Sequence, residues 1–102
     1  MALITLEEAK AYLRVDTGDE DAMIGILLSS AKNLCADVAR LSEDQRAALD
    51  SEDAAQAPLR ETMKVAILYA VGYLFEHREE ADHHELTLTL RSLLFAIREG
   101  VV

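Results

Sequence analysis

The sequence predicts an all-α domain, and three features of its 102 residues indicate this fold class. Hydrophobic residues make up 51% of the chain but aromatic residues only 5%, with one proline and four glycines. The abundant Ala, Leu, Glu and Arg side chains lose little rotamer freedom in a helix. Apolar residues recur at steps of three and four, which is the spacing of one helix face. We therefore expect a single domain, a small bundle of four main helices plus a possible short helical turn.

The first predicted helix covers residues 6–14 and begins at a capping box. The Thr5 side chain can accept a hydrogen bond from the Glu8 amide, while the Glu8 carboxylate accepts one from the Thr5 amide. The Asp16-Thr17-Gly18-Asp19 segment that follows the helix is typical of a turn. The inward face of this helix consists of Leu6, Ala9 and Leu13.

The second predicted helix covers residues 20–40, with Asp19 as its N-cap. It carries a continuous apolar stripe of the width expected for a helix that faces the core. Cys35 lies inside this stripe, so we expect a small buried hydrophobic residue and not a nucleophile. The stripe consists of Ile24, Leu27, Leu28, Ala31, Leu34, Cys35, Val38 and Leu41.

Residues 42–57 are the least patterned part of the chain and are expected to form a surface segment. Ser42 and Gln45 have the spacing of a capping box and could start a short helical turn. Pro58 suits the first position of the next helix, because the missing N–H of proline has no helical acceptor there.

The third predicted helix, residues 59–77, is apolar on nearly all sides and should therefore be buried on nearly all sides. Either a few neighbouring helices of the same chain cover it, or another subunit covers part of it. One apolar stripe consists of Leu59, Met63, Ala66, Ile67, Ala70 and Leu74. A second stripe consists of Val65, Leu68, Tyr69, Gly72, Tyr73 and Phe75.

A charged connection, residues 76–85, is predicted before the last helix, residues 88–99. Phe95 lies off the main stripe of this helix, so we expect it to be exposed on an isolated subunit. Gly100 is a plausible helix terminator. The main stripe consists of Leu90, Leu93, Leu94 and Ile97.

The charge pattern argues against binding to nucleic acid or to a membrane. The formal net charge of −9 would repel DNA and anionic lipid, and no basic stripe with interleaved aromatics occurs. The nearly uninterrupted apolar run 65–75 is too short to span a bilayer, and no signal-peptide pattern opens the chain. A single cysteine cannot form an internal disulfide. We expect the protein to be soluble and intracellular at the time it is made.

No pattern of residues indicates catalysis. The sequence lacks the nucleophile-elbow, phosphate-loop, dinucleotide-binding and zinc-protease motifs. His77, His83, His84 and Glu85 are the only cluster that invites a metal interpretation, but adjacent histidines in one loop do not supply the usual zinc spacing. We therefore expect no enzyme activity, no cofactor and no metal, which leaves interaction with other proteins.

Three segments resemble the head–tail connector (adaptor) proteins of long-tailed double-stranded-DNA phages. Residues 4–16 and the acidic turn 19–21 are similar to the start of these proteins. Residues 65–79 resemble the family's long hydrophobic helix with its aromatic-Glu-x-Arg-Glu ending. Residues 85–94 are similar to the closing segment, although family members commonly carry proline where this chain has Thr87, a departure expected to loosen the start of the last helix.

The resemblance implies a structural subunit of a phage or prophage virion, located at the head–tail junction. Such proteins assemble into a homo-oligomeric ring of about a dozen copies through a head-to-tail contact that closes. One face of the ring docks on the portal protein and the other receives a head-completion or tail protein. DNA passes through the channel without sequence-specific binding. A small bacterial helical protein-interaction or regulatory module is the alternative.

Two sets of residues are candidates for this role. Aromatic and arginine side chains are favoured in interfaces, so the predicted subunit or partner interface consists of Tyr69, Tyr73, Phe75, Arg91, Phe95 and Arg98. Acidic residues in the channel wall would let DNA slide without sticking, since contact would release no counterions. The predicted lumen-facing acids are Glu43, Glu52, Glu79 and Glu80.

Overall fold

The computed structural model describes residues 3–51, 54–77 and 84–95, and these ranges contain helices and no strand. The all-α fold class is therefore confirmed. The helices are α1 (Leu6–Leu13), α2 (Asp21–Ala39), α3 (Glu43–Ala48), α4 (Ala57–Glu76) and α5 (His84–Leu94), with a 3-10 turn at Ala54–Gln56.

Both predicted capping boxes are present. The Glu8 amide donates to Thr5 Oγ1 at 3.1 Å, and the Thr5 amide donates to Glu8 Oε1 at 3.1 Å. The Gln45 amide donates to Ser42 Oγ at 3.2 Å, and the Ser42 amide donates to Gln45 Oε1 at 3.0 Å. The possible helical turn in segment 42–57 is thus the six-residue helix α3.

The start of α2 differs from the prediction. Asp19 is not the N-cap: that position is held by Glu20, whose side chain makes no capping hydrogen bond. A turn in which the Asp21 amide donates to the Gly18 carbonyl precedes the helix and moves its start to Asp21. Pro58 likewise lies one position further into its helix than predicted, because α4 begins at Ala57.

The last helix begins at His84, four residues before the predicted Leu88. Leu86, Leu90 and Leu94 are fully buried and form one stripe at steps of four, so the packed face starts before Leu88. Leu93, which was predicted in this stripe, is 41% exposed and lies outside it. Thr87 therefore lies inside the helix, as its fourth residue. The predicted end near residue 99, with Gly100 as terminator, falls outside the described residues.

The contact between α2 and α4 is the most extensive in the bundle, and α1 and α5 each pack against both of these helices. The α1 and α5 helices make at most marginal contact with each other. The core includes Ile24, Ala31 and Cys35 from α2 and Met63, Ile67 and Val71 from α4, each 1% exposed or less. This arrangement confirms the predicted burial of Cys35.

By length and composition α2 could also cross a membrane. The central helix of a water-soluble bundle has the same properties, and α2 packs against α1, α4 and α5 through fully buried side chains. We therefore assign α2 to the core of the bundle.

Within the described ranges, only one of the two apolar stripes on α4 is largely buried. Met63, Ala66, Ile67 and Ala70 are buried, as predicted. In the second stripe, however, Val65 is 62% exposed and Tyr69 is 39% exposed. The described helices of the same chain therefore do not cover α4 on all sides.

Candidate subunit interface

An open groove of about 680 Å³ lies between the end of α1 and the last two turns of α4. We call it the aromatic groove. Gly72 forms part of its floor: a Cβ atom at this position would lie 3.0 Å from Cε2 of Tyr12, so glycine permits the close approach of the tyrosine ring. The groove is lined by Tyr12, Leu13, Arg14, Tyr69, Gly72, Tyr73, Phe75, Glu76 and His77.

Three of the predicted interface residues meet in the aromatic groove. Tyr69 is partly exposed, whereas Tyr73 and Phe75 are half-buried and pack against the core. The Tyr73 ring stacks on His77 with 4.0 Å between ring centroids and an interplanar angle of 16°. His77 Nδ1 is also 2.9 Å from the Tyr73 carbonyl oxygen. These two contacts hold the His77 ring against Tyr73 at the α4 end of the groove.

Two ion pairs hold α1, which forms one wall of the groove. Lys64 Nζ on α4 is 2.5 Å from Glu8 Oε2, and Lys10 Nζ is 2.7 Å from Asp21 Oδ1 on α2. The hydrogen bond from Lys64, followed by that from the Thr5 amide, lowers the pKa of Glu8 from its ordinary value. The first helix, too short to persist alone, is thus attached to both central helices.

The solvent-facing side of α5 forms a second apolar surface, which we call the α5 ridge. Leu88 is 48% exposed and Phe95, just after the helix, is 58% exposed, as the sequence predicted for an isolated subunit. Arg91 is exposed on the same face, and Arg98 lies outside the described residues. The α5 ridge consists of Glu85, Leu88, Arg91, Ser92 and Phe95, which share one face at helical spacing.

Of the four predicted lumen acids, Glu43 is described, and it is exposed in the first turn of α3. Glu52, Glu79 and Glu80 lie outside the described residues. The α3 helix is held to α2 by Arg46, whose Nη2 atom is 2.6 Å from Asp37 Oδ1. Lys32 Nζ lies 3.4 Å from Asp50 Oδ1, just after α3. The position of Glu43 relative to the bundle is therefore well defined.

The titratable residues suggest no catalytic arrangement in the part of the chain that the structure describes. No group of three His, Cys, Asp or Glu side chains there could hold a metal ion. His84 and Glu85 belong to the first turn of α5 and not to a loop, and His83 is outside the described residues. Burial raises the pKa of the Cys35 thiol to about 12, which keeps it protonated and unreactive near neutral pH.

Comparison with known proteins assigns the chain to a family. The sequence model of the phage gp6-like head-tail connector protein family matches residues 3–99. The chain belongs to this family. The match includes all five helices and the segment 42–57, and it confirms the resemblance seen in the sequence. No curated protein and no solved structure matches the chain.

Membership in the head–tail connector family defines a general role. The chain is a structural component of a phage virion, and its family name implies contact with other head and tail proteins. For a connector, surfaces that face other proteins are the functional sites. The aromatic groove and the α5 ridge are therefore the features to interpret.

The sequence did not reveal several members of these two surfaces. Tyr12 lies off the inward face of α1, and an isolated tyrosine gives no sign of its contact with a glycine 60 positions later. Leu88 is the first residue of the predicted last helix, so its position on an exposed face in the middle of α5 was not predicted. Arg14, which ends α1, carries no sequence signal for its place in the groove.

Proposed function

We propose that this connector forms a homo-oligomeric ring between the portal protein and a head-completion or tail protein of a phage or prophage particle. The family match over residues 3–99 is the observation that carries the proposal. Family membership favours this role over a bacterial regulatory module. The ring would have about a dozen copies and would be closed by one repeated head-to-tail contact.

The exposed apolar surfaces support assembly with other proteins. Tyr12, Tyr69, Leu88 and Phe95 are each at least 39% exposed, on two different surfaces of one small chain. Aromatic side chains at the centre of an interface contribute strongly to binding, because they bury a large area with few rotatable bonds. The predicted interface residues Tyr69, Tyr73, Phe75, Arg91, Phe95 and Arg98 stay part of this proposal.

We further propose that DNA passes through the ring past a wall that includes acidic side chains. The exposed position of Glu43 on α3 supports a role for segment 42–57 in this wall. A like-charged wall gives DNA no counterions to release on contact, so the genome would not adhere. Glu52, Glu79 and Glu80 are the other proposed contributors, and a ring with all four acids on its outer rim would contradict this assignment.

The proposed role requires no chemistry from the protein. Protein contacts alone would join portal to tail, and we propose that the chain has no enzyme activity. During assembly it would be present in the host cytoplasm before it joins the virion.

Electron microscopy of the purified protein, alone at high concentration and mixed with the portal protein of the same phage genome, tests the proposal. We expect annular particles, at least when the portal is present to template closure. The matched control is the portal alone, which shows whether the connector adds a distinct ring of density. Compact monomers or dimers in both preparations, with no added density on the portal, would contradict the ring.

A further inference from the structure

We propose that the α5 ridge of one copy docks into the aromatic groove of the next copy. This inference rests on the proposed function, because it specifies the contact that repeats around the ring. The occupant of the groove is thus a second copy of this chain, and the contact joins two different surfaces.

The shapes of the two surfaces are complementary. The groove is an open concavity, and the absence of a side chain at Gly72 lets the Tyr12 ring approach the α4 backbone inside it. The ridge is convex, since Leu88 and Phe95 project from one face of a single helix and are 48% and 58% exposed. Both surfaces combine exposed apolar or aromatic side chains with polar and charged ones, as protein interfaces do.

The position of the two surfaces favours a contact between copies. Within one chain, α1 and α5 both pack on α2 and α4 but make at most marginal contact with each other. Groove-to-groove or ridge-to-ridge pairing would give a closed dimer that leaves the other apolar surface uncovered. Ridge-to-groove pairing uses both surfaces of every copy and can continue until a ring closes.

The charges favour a second copy as the occupant. A chain with a net charge of −9 repels its own copies over most of its surface. The groove carries one positive and one negative residue, Arg14 and Glu76, and the ridge likewise carries Arg91 and Glu85. None of these four side chains forms an ion pair with another residue of the described ranges. Each surface is therefore locally neutral and offers both signs to its partner.

Disulfide cross-linking between two singly substituted preparations of the full chain tests this contact. One preparation carries Tyr69→Cys in the groove and the other carries Leu88→Cys on the ridge. Since each chain has only one new thiol, a bond between positions 69 and 88 must join two copies. The native Cys35 should not take part, because it is fully buried and its pKa is raised to about 12.

We expect the mixture to form a covalent heterodimer under mild oxidation at high protein concentration. Each preparation alone should form no more dimer than the unsubstituted protein does. Circular dichroism of both variants verifies that they are folded, and both substitutions are at partly exposed positions. Equal amounts of homodimer and heterodimer, or no dimer, would overturn the inference.

Charge reversal provides a second readout of the same contact. With Glu76→Lys added to the groove preparation, or Arg91→Glu added to the ridge preparation, we expect about tenfold less heterodimer. Mixing the two reversed preparations should restore the yield. Glu61→Lys, a reversal at an exposed position of α4 outside the groove and the ridge, is the matched control and should change nothing. Failure of the double reversal to restore the yield would contradict the pairing of Glu76 in the groove of one copy with Arg91 on the ridge of the next.

Failure of this contact and failure of the ring can be distinguished. Annular particles without a 69–88 heterodimer would retain the proposed function and overturn the inference. A heterodimer without annular particles, with or without the portal, would retain the contact and overturn the ring.

Discussion

At the scale of single residues, two helices end on an arginine in the left-handed conformation, where glycine is the usual residue. Arg14 has φ 60° and ψ 39°, and Arg40 has φ 56° and ψ 43°. In each case the next residue donates to the carbonyl five positions back, Val15 to Lys10 and Leu41 to Ala36. This is a Schellman motif, and its hydrogen bonds offset the cost of the backbone conformation.

Replacing Arg40 should therefore stabilise the protein. Arg40→Gly removes the Cβ contact that disfavours positive φ, and we expect a gain of about 1 kcal/mol in the free energy of unfolding. For a domain of this size that gain raises Tm by about 4–8 °C. Thermal unfolding followed by circular dichroism measures it. Arg40→Ala keeps the Cβ and is the control; an equal Tm for both variants would contradict the explanation.

Glu8 is the residue whose protonation should affect stability. Its carboxylate accepts from Lys64 and from the Thr5 amide, and its pKa is lowered in the folded protein. A lowered pKa means that the fold favours the charged form. The stabilisation is present at pH values above the ordinary pKa of 4.5 and is lost as the pH falls through the lower, folded value.

Glu8→Gln isolates this effect, because glutamine keeps the capping box but cannot carry the charge. We expect the variant to be less stable than the native protein at pH 7 by less than about 1 kcal/mol, since the ion pair is partly exposed. The difference should shrink as the pH is lowered from 7 to 3, as measured by urea unfolding at each pH. Glu7→Gln, on the exposed side of the same turn, is the control. A difference that stays constant from pH 7 to pH 3 would contradict the role of Glu8.

At the scale of elements, α4 shows how a nearly all-apolar helix is used in a small bundle. One face packs into the core, and the other contributes Tyr69 and Gly72 to the aromatic groove. The two helical glycines among the described residues differ in their surroundings. A Cβ on Gly72 would meet the Tyr12 ring at 3.0 Å, whereas a Cβ on Gly25 of α2 would meet nothing within 4 Å.

This difference predicts that alanine substitutions at Gly25 and at Gly72 have different effects on stability and association. Gly25→Ala should stabilise the protein by up to about 1 kcal/mol through helix propensity alone. Gly72→Ala should gain less, because the half-exposed Tyr12 ring must move, and it should also weaken association between copies. Thermal unfolding and sedimentation at high concentration measure the two effects. Equal stabilisation by both substitutions, with unchanged association, would contradict the role of Gly72.

Much of this fold could be predicted from the sequence, because capping boxes and apolar stripes are local patterns. The capping boxes at Thr5 and Ser42 predicted the starts of α1 and α3. The predicted burial of Met63, Ala66, Ile67 and Ala70 on α4 is confirmed. The α5 helix starts earlier than predicted, because His84 and Glu85 belong to its first turn, where an acid favours a helix, and not to the charged connection. The groove was missed in part because the contact between Tyr12 and Gly72 joins residues far apart in the chain.

At the scale of the whole molecule, an acidic chain must still contact its own copies if it forms a ring. The exposed apolar residues lie beside balanced charges in the groove and on the ridge, while segment 42–57 carries five carboxylates against one arginine. Assembly through the neutral surfaces would leave the acidic segments free to face solvent or DNA. This distribution of charge is the basis of the proposal that the connector binds proteins and does not adhere to the genome.

Cryo-electron microscopy of the head–tail junction, in purified particles from the phage or prophage that encodes this chain, tests the central claim most directly. We predict a closed ring of many copies between the portal and the next tail-side component, with the DNA channel through its centre. Absence of the chain from this junction, or a single copy there, would contradict the account.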